Sequence, residues 1–255
     1  MPFTLCHPAI VIPLHRYARG VTSLPALAIG SMMPDFVYFF SFGVSGRFSH
    51  SVPGIVLYCV PAGALIYMLY YALLRQPFLA WLPQAVSARM AWQIPAPAQP
   101  VRAAGIVLLS LAIGAATHLL WDGFTHRNTI FVNHFDLLRT PVLLGGHDVP
   151  LFKILQQLSS LTGFLVIAGC TFAWISRSER GPVHHHAFSN RQRLLAFAAV
   201  SAAAAAGGAW GLLARRSTSI EHGLFNAVTA GMAAGAAAIL LLCIGWHVCV
   251  DKRRP

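Results

Sequence analysis

A 255-residue chain that is 56% hydrophobic and only 10% charged stands far below the roughly 25% charged content of soluble domains, which excludes an ordinary water-soluble fold. Several apolar runs of about 20 residues mark an all-α, polytopic helical membrane protein whose constant partner is the lipid bilayer. The net charge of +11 does not indicate a nucleic-acid partner, because the arginines flank the apolar runs and are not interleaved with exposed aromatic residues.

Residues 1–20, MPFTLCHPAIVIPLHRYARG, carry Pro2, Pro8 and Pro13, and are too short and too interrupted to span a bilayer. Thr4 is placed to cap a short helix, and His7 lies in the same segment. No basic stretch precedes the first apolar residues, so no signal peptide is expected. Residues 21–42 are apolar, but Gly30-Ser31-Met32-Met33-Pro34-Asp35 interrupts them. Pro34 forces a break, and Asp35 then falls in hydrocarbon-like surroundings without a basic neighbour, where an unpaired carboxylate is expensive. Either Asp35 caps a helix over Phe36–Phe42, or a metal ion, a histidine or a distant arginine compensates it. Residues 1–42 are expected to form a re-entrant or interfacial helical hairpin.

The linker 43–51 holds Arg47 and Ser49-His50, just ahead of an apolar run at 52–74. The proline-rich loop 75–102 carries Arg75, Arg89 and Arg102, with a short surface helix expected around Trp81–Trp92. The run 103–122 ends in Thr117–His126, THLLWDGFTH. There His118, Asp122 and His126 fall at i, i+4 and i+8, on one face if the helix continues. Asp122 is one of only seven acidic residues in the chain. Residues 123–153 form the longest polar stretch, with His134, Asp136, His147 and Asp148 and a tight turn at Gly145-Gly146; they read as an active-site loop or lid. The run 154–175 opens with Gln156, Gln157, Ser159 and Ser160, placed to face the same site as His118. His184-His185-His186 follow in an arginine-flanked loop. The alanine- and glycine-rich runs 194–213 and 224–250 read as scaffold, because small residues let helices pack closely in lipid. Residues 1–175 thus form a motif-bearing membrane domain and 176–255 a two-helix scaffold. The five cysteines contain no C-x-x-C pair and read as small buried hydrophobes, with Cys6 set apart by its position beside His7.

Five spans follow, plus the N-terminal partial insertion. The loops 75–102 and 176–193 and the tail hold ten Lys and Arg, against six in 43–51, 123–153 and 214–223. The positive-inside bias places the first set in the cytoplasm. His50 opens one span and His118–Asp122 closes the next, so both meet at the opposite, extracytoplasmic face, with Asp35 and His126. His7 joins them only if residues 1–42 form a hairpin that does not cross fully.

His7, Asp35, His50, His118, Asp122 and His126 are then nitrogen and oxygen donors suited to a divalent metal, zinc first and manganese or iron as alternatives, with room for two ions. A hydrogen-bonded cluster holding helices together is the plainer account. An ion path is a third, although the polar residues gather at one end of the bundle.

The motifs MPFT-x-x-HPA at Met1–Ala9, G-S-x-x-PD-x-x-Y at Gly30–Tyr38, His50-Ser51 and TH-x-x-WD-x-FTH at Thr117–His126 carry a resemblance. LLRTP at Leu137–Pro141 and LQ-x-x-SS-x-x-G at Leu155–Gly163 join them. Together they resemble an uncharacterised family of bacterial integral membrane proteins, over roughly residues 1–175. More distantly the chain is similar to membrane-bound metal-dependent hydrolase-like proteins, which have been compared with zinc-dependent phospholipase C. Cys6 stands where those relatives have Thr before the first histidine. The resemblance implies His7, Asp35, His50, His118 and Asp122 as metal ligands, and a bacterial plasma membrane as the location.

The expected function is a membrane-embedded metal-dependent hydrolase acting on a lipid or lipid-linked phosphoester. Asp35 or Asp122 would serve as a ligand or as the base that orients a water. Arg47, Arg127 or Arg139 would pair with a phosphate or contact headgroups. The alternative is a non-catalytic membrane protein, a metal-stabilised scaffold or a transporter, using the same cluster.

Overall fold

The computed structural model describes residues 3–40, 43–90, 99–181, 188–214 and 219–251. His184-His185-His186, Arg215, Arg216 and Lys252-Arg253-Arg254 lie outside these residues, as does the end of the surface helix expected up to Trp92. In chain order the elements are a 3₁₀ turn at Thr4–Cys6, α1 (Pro8–Tyr17), α2 (Leu24–Met32), a 3₁₀ turn at Met33–Asp35, α3 (Phe36–Phe39) and α4 (Gly46–Ser49). Then come α5 (Val52–Trp81), one turn at Gln84–Ser87, α6 (Pro100–Thr125), α7 (Ile130–His134), α8 (Asp136–Arg139), strands β1 (Pro141–Leu144) and β2 (His147–Pro150), α9 (Leu151–Arg177), α10 (Asn190–Ala214) and α11 (Ile220–Asp251). Five of these, α5, α6, α9, α10 and α11, contain stretches long and apolar enough to cross a bilayer. They coincide with the five apolar runs of the sequence.

The chain divides into two compact units. The first is drawn from Met1–Val37, Phe42–Tyr67 and Ala96–Arg177. Its organising device is the α1–α2 hairpin. Pro8 opens α1 at a position where a missing N–H costs nothing, and the ten residues of α1 rise only about 15 Å, half of a bilayer core. Gly20, at φ 91, turns the chain, and α2 returns alongside α1 to Asp35. The hairpin therefore enters and leaves at one level, as a re-entrant element.

Close packing against α6 fixes that level. The backbone N–H of Ser23 donates to Ser110 Oγ (2.9 Å) at one end of α2, and His118 Nδ1 donates to the Ser31 carbonyl (2.8 Å) at the other. Between them, a Cβ on Gly30 would stand 2.3 Å from the Leu111 carbonyl oxygen, and one on Gly114 2.3 Å from that of Leu27. Only glycine permits this backbone approach, the small-residue contact that drives helix association in lipid. Thr4 departs from expectation. It does not cap the first turn, where no side-chain cap bond forms; its hydroxyl reaches Asp35 instead.

The second unit is drawn from Tyr38–Ser41, Met68–Pro95 and Ser178–Pro255. Here α10 and α11 pack along each other. The apolar run expected to end at 74 continues to Trp81, through a π-helical turn at Tyr70–Leu74. Pro77 has no N–H for the carbonyl of Leu73, four residues earlier. His247 Nε2 of α11 supplies the missing donor, 2.9 Å from that oxygen.

Candidate metal centre

Four segments of the first unit deliver the six histidines and aspartates to one place. The turn before α1 brings His7, the 3₁₀ turn after α2 brings Asp35, the residue after α4 is His50, and the last turns of α6 bring His118 and Asp122, with His126 just beyond its end. All lie around Asp122. Its Oδ2 is 3.2 Å from His118 Nε2 and 3.7 Å from His50 Nε2. Its Oδ1 is 3.3 Å from His7 Nε2 and 3.4 Å from His126 Nδ1. Asp35 Oδ1 is 3.3 Å from His50 Nε2 and 3.6 Å from His118 Nε2. The condition set on the N-terminus is met: the hairpin does not cross fully, and His7 reaches the cluster.

Asp35, His50, His118 and Asp122 form the tightest group, with one donor atom from each within 4.8 Å of all the others. Donors held about 2.0–2.1 Å from a zinc-sized ion in a tetrahedron stand about 3.3–3.4 Å apart. The four histidine–aspartate separations among these atoms, 3.2 to 3.7 Å, bracket that edge length.

The surrounding bonds orient these side chains toward one another. His118 Nδ1 donates to Ser31 O and His50 Nδ1 to Gly46 O, each at 2.8 Å. Each ring, anchored through Nδ1, turns Nε2 inward, as metal-ligating histidines do. Thr4 Oγ1 donates to Asp35 Oδ2 at 2.6 Å, leaving Oδ1 to face the cluster. Asp35 takes this bond and not that of a helix cap.

Asp35 and His118 are fully buried, and Asp35 Oδ1 and His118 Nε2 have no hydrogen-bond partner among the described residues. A buried acceptor left bare costs about 1–3 kcal/mol, and two buried carboxylates gather here with only imidazoles in ion-pair range among the described residues. A divalent cation answers both deficits, so the donor set fits such an ion.

His7 and His126 flank the group on the Oδ1 side of Asp122. The His7 ring stacks on that of His118, centroids 3.8 Å apart. Burial, reinforced by His118, holds the His7 imidazole below its usual range, so it stays neutral with a lone pair available. His126 is not on the helix: α6 ends at Thr125, and His126 adopts an extended backbone. It remains at the cluster because its N–H bonds the Asp122 carbonyl (3.1 Å), and its Nε2 lies 3.4 Å from Gln156 Nε2 of α9. The side chains of His50 and His126 are 21% and 22% exposed, so the cluster opens on their side.

The remaining candidates lie apart. His134, His147 and Asp148 are exposed. Arg139 is paired with Asp136, while Arg47 and Arg127 are exposed, three residues before His50 and one after His126. Cys6 donates to the Ser160 carbonyl at 3.1 Å, and a Cβ on Gly163 would meet its side chain at 2.8 Å; it packs α9 against the first turn. Thr4, and the carbonyls of Ser31 and Gly46, are the participants that sequence reasoning missed.

A family model described as Domain of unknown function (DUF4184) matches residues 1–244, and the chain belongs to that family. No curated protein and no solved structure matches it.

Proposed function

We propose that this chain is a membrane-embedded, metal-dependent hydrolase of a lipid or lipid-linked phosphoester, with its centre at Asp35, His50, His118 and Asp122 and with His7 and His126 as flanking donors. The observation that carries this reading is the pair of buried, unpartnered atoms, Asp35 Oδ1 and His118 Nε2, facing each other across donor separations suited to one ion. Zinc suits the nitrogen-rich set, and manganese or iron the carboxylates. A divalent ion held there supplies Lewis-acid polarisation of a phosphoryl oxygen and a water activated near neutral pH.

The protein's own groups do the rest. His118, whose Nδ1 donates to Ser31 O, and His50, whose Nδ1 donates to Gly46 O, are held with Nε2 turned to the site. Asp35 or Asp122 holds a ligand position or takes the proton of the attacking water. Arg47, three residues before His50, and Arg127, one after His126, are exposed and placed to receive a phosphate, whereas Arg139 is already engaged by Asp136. The lipid-like substrate follows from the site's place near the end of α6, inside a helix long enough to cross the bilayer. We assign the site to the extracytoplasmic face of a bacterial plasma membrane, on the charge bias of the loops.

One observation favours a second reading. Four protein donors suffice to close a tetrahedron, as structural zinc sites do; the centre would then be a metal-stabilised scaffold without chemistry.

Metal analysis by elemental mass spectrometry on detergent-purified protein tests the common premise. Wild type is expected to carry about one or two ions per chain, and Asp122→Ala and His118→Ala to lose them. Folded wild type that takes up no zinc, manganese or iron on reconstitution would sink both readings. Phosphoester hydrolysis by the loaded wild type, abolished in both variants, separates the hydrolase from the scaffold.

A further inference from the structure

The loop between α6 and α9 carries an apolar surface that the candidate centre does not use. Ile130 is 74%, Leu137 69% and Leu143 71% exposed, and Phe135 and Leu144 are about half exposed. These are not the edges of a loose core. Beneath them Val132, Leu138 and Phe152 are buried together, with Phe131 and Leu155 against them, so the loop already has one satisfied apolar face clamped to the start of α9. The exposed residues form a second.

The strands sharpen the point. β1 reads Pro-Val-Leu-Leu and is exposed throughout; it pairs with β2 so that Val142 faces Val149 and Leu143 faces Asp148. Gly145 and Gly146, at φ 57 and 83, make the two-residue turn that such a hairpin needs. A lone two-stranded hairpin is marginal in water, and an exposed apolar edge strand there is an aggregation hazard. This hairpin is not placed in bulk water, however. Pro150 of β2 leads directly into Leu151, the first residue of a helix apolar enough to cross the bilayer, which keeps the strands within a few residues of the membrane boundary.

We propose that Ile130, Phe135, Leu137, Leu143 and Leu144 form an interfacial lipid-contact surface, seated in the headgroup–acyl boundary of the leaflet in which α9 begins. Two features set the depth. The outer N–H and C=O groups of a two-stranded hairpin have no partner and cannot enter hydrocarbon, which stops the strands at the headgroups. The Asp136–Arg139 pair, Asp148 and Lys153 keep charge at the same level, where long basic side chains reach back to water. Amphipathic segments of this kind lie in the plane of the interface. The loop starts at His126 and returns as α9, whose Gln156 touches His126, so the surface lies on the side of the bundle where the six donors gather. It stands on the membrane architecture alone and holds whether or not the donors bind a metal.

The experiment places an environment-sensitive fluorophore on Leu143→Cys, in a background where the exposed Cys170 and Cys249 are replaced by alanine, in proteoliposomes. The expected result is a blue shift of emission on reconstitution, and a loss of emission with nitroxide-bearing phospholipid but not with iodide. Quenching by iodide alone would place the hairpin in water and overturn the proposal. Shielding from both quenchers would mean that protein covers the surface, a second copy of the chain for instance, and would overturn it equally. Ile130→Cys, on a different element of the same surface, gives the same reading should Leu143→Cys fail to fold.

Discussion

Asp122 is the residue on which the site turns, because each of its oxygens faces two histidines. Around it, the less conspicuous groups decide orientation. Thr4 is the clearest case: its hydroxyl fixes Asp35 Oδ2, so Thr4→Val should weaken metal affinity about 10–100-fold, the usual cost of losing an outer partner of a ligand. Thr4→Ser, which keeps the hydroxyl, should not; competition against a chelating dye reads both. The histidine and aspartate positions were legible in the sequence, since carboxylates and imidazoles in apolar surroundings need a reason. Thr4 was not: the local rule makes it a helix cap, and only the fold reveals a partner 31 positions away. The carbonyls of Ser31 and Gly46 were beyond reach for a different reason, because a backbone acceptor leaves no residue type to notice. His126 reached the site by a route other than helical spacing, leaving the helix and then bonding back to it.

At the scale of elements, the sequence located the five long apolar helices but not their ends. α5 outruns its expected limit because a π-turn and a distant histidine accommodate Pro77. That account makes His247 a structural residue, with no need of a proton path. His247→Phe should leave the Leu73 carbonyl unsatisfied and cost about 1–3 kcal/mol, seen as a lower Tm in detergent. The α2–α6 contact is more demanding still. Gly114→Val would push a side chain into the Leu27 carbonyl and cost about 1–3 kcal/mol or more by overpacking. Since Ser31 on α2 orients His118 on α6, the same substitution should also lower metal content. Thermal unfolding and elemental analysis of one preparation would show the two losses together. A lower Tm with metal content unchanged would mean that the helix contact and the donor set are independent. The hairpin itself was foreseen from prolines and length, but its parallel course along α6 rests on Gly30 and Gly114 meeting, a pairing that no single segment announces.

At the scale of the whole chain, an ion that binds the folded protein alone stabilises it by mass action, about 2.7 kcal/mol at a hundredfold excess over Kd. Chelation should therefore lower the Tm of wild type by several degrees and leave Asp122→Ala unmoved, a contrast that differential scanning fluorimetry reads directly. The order in which the chain is made adds a constraint. His7 is made well before the carboxylate it faces, which lies 115 positions later, and Asp35 must wait for His118 on the same helix. Until α6 arrives, the hairpin holds a bare carboxylate that lipid rejects and a glycine seam with nothing to pack against. It cannot settle in the membrane when it is synthesised. The hairpin is made before α6 but seated only with it, and a ribosome stalled before α6 would leave α1 and α2 open to a protease that the finished protein resists.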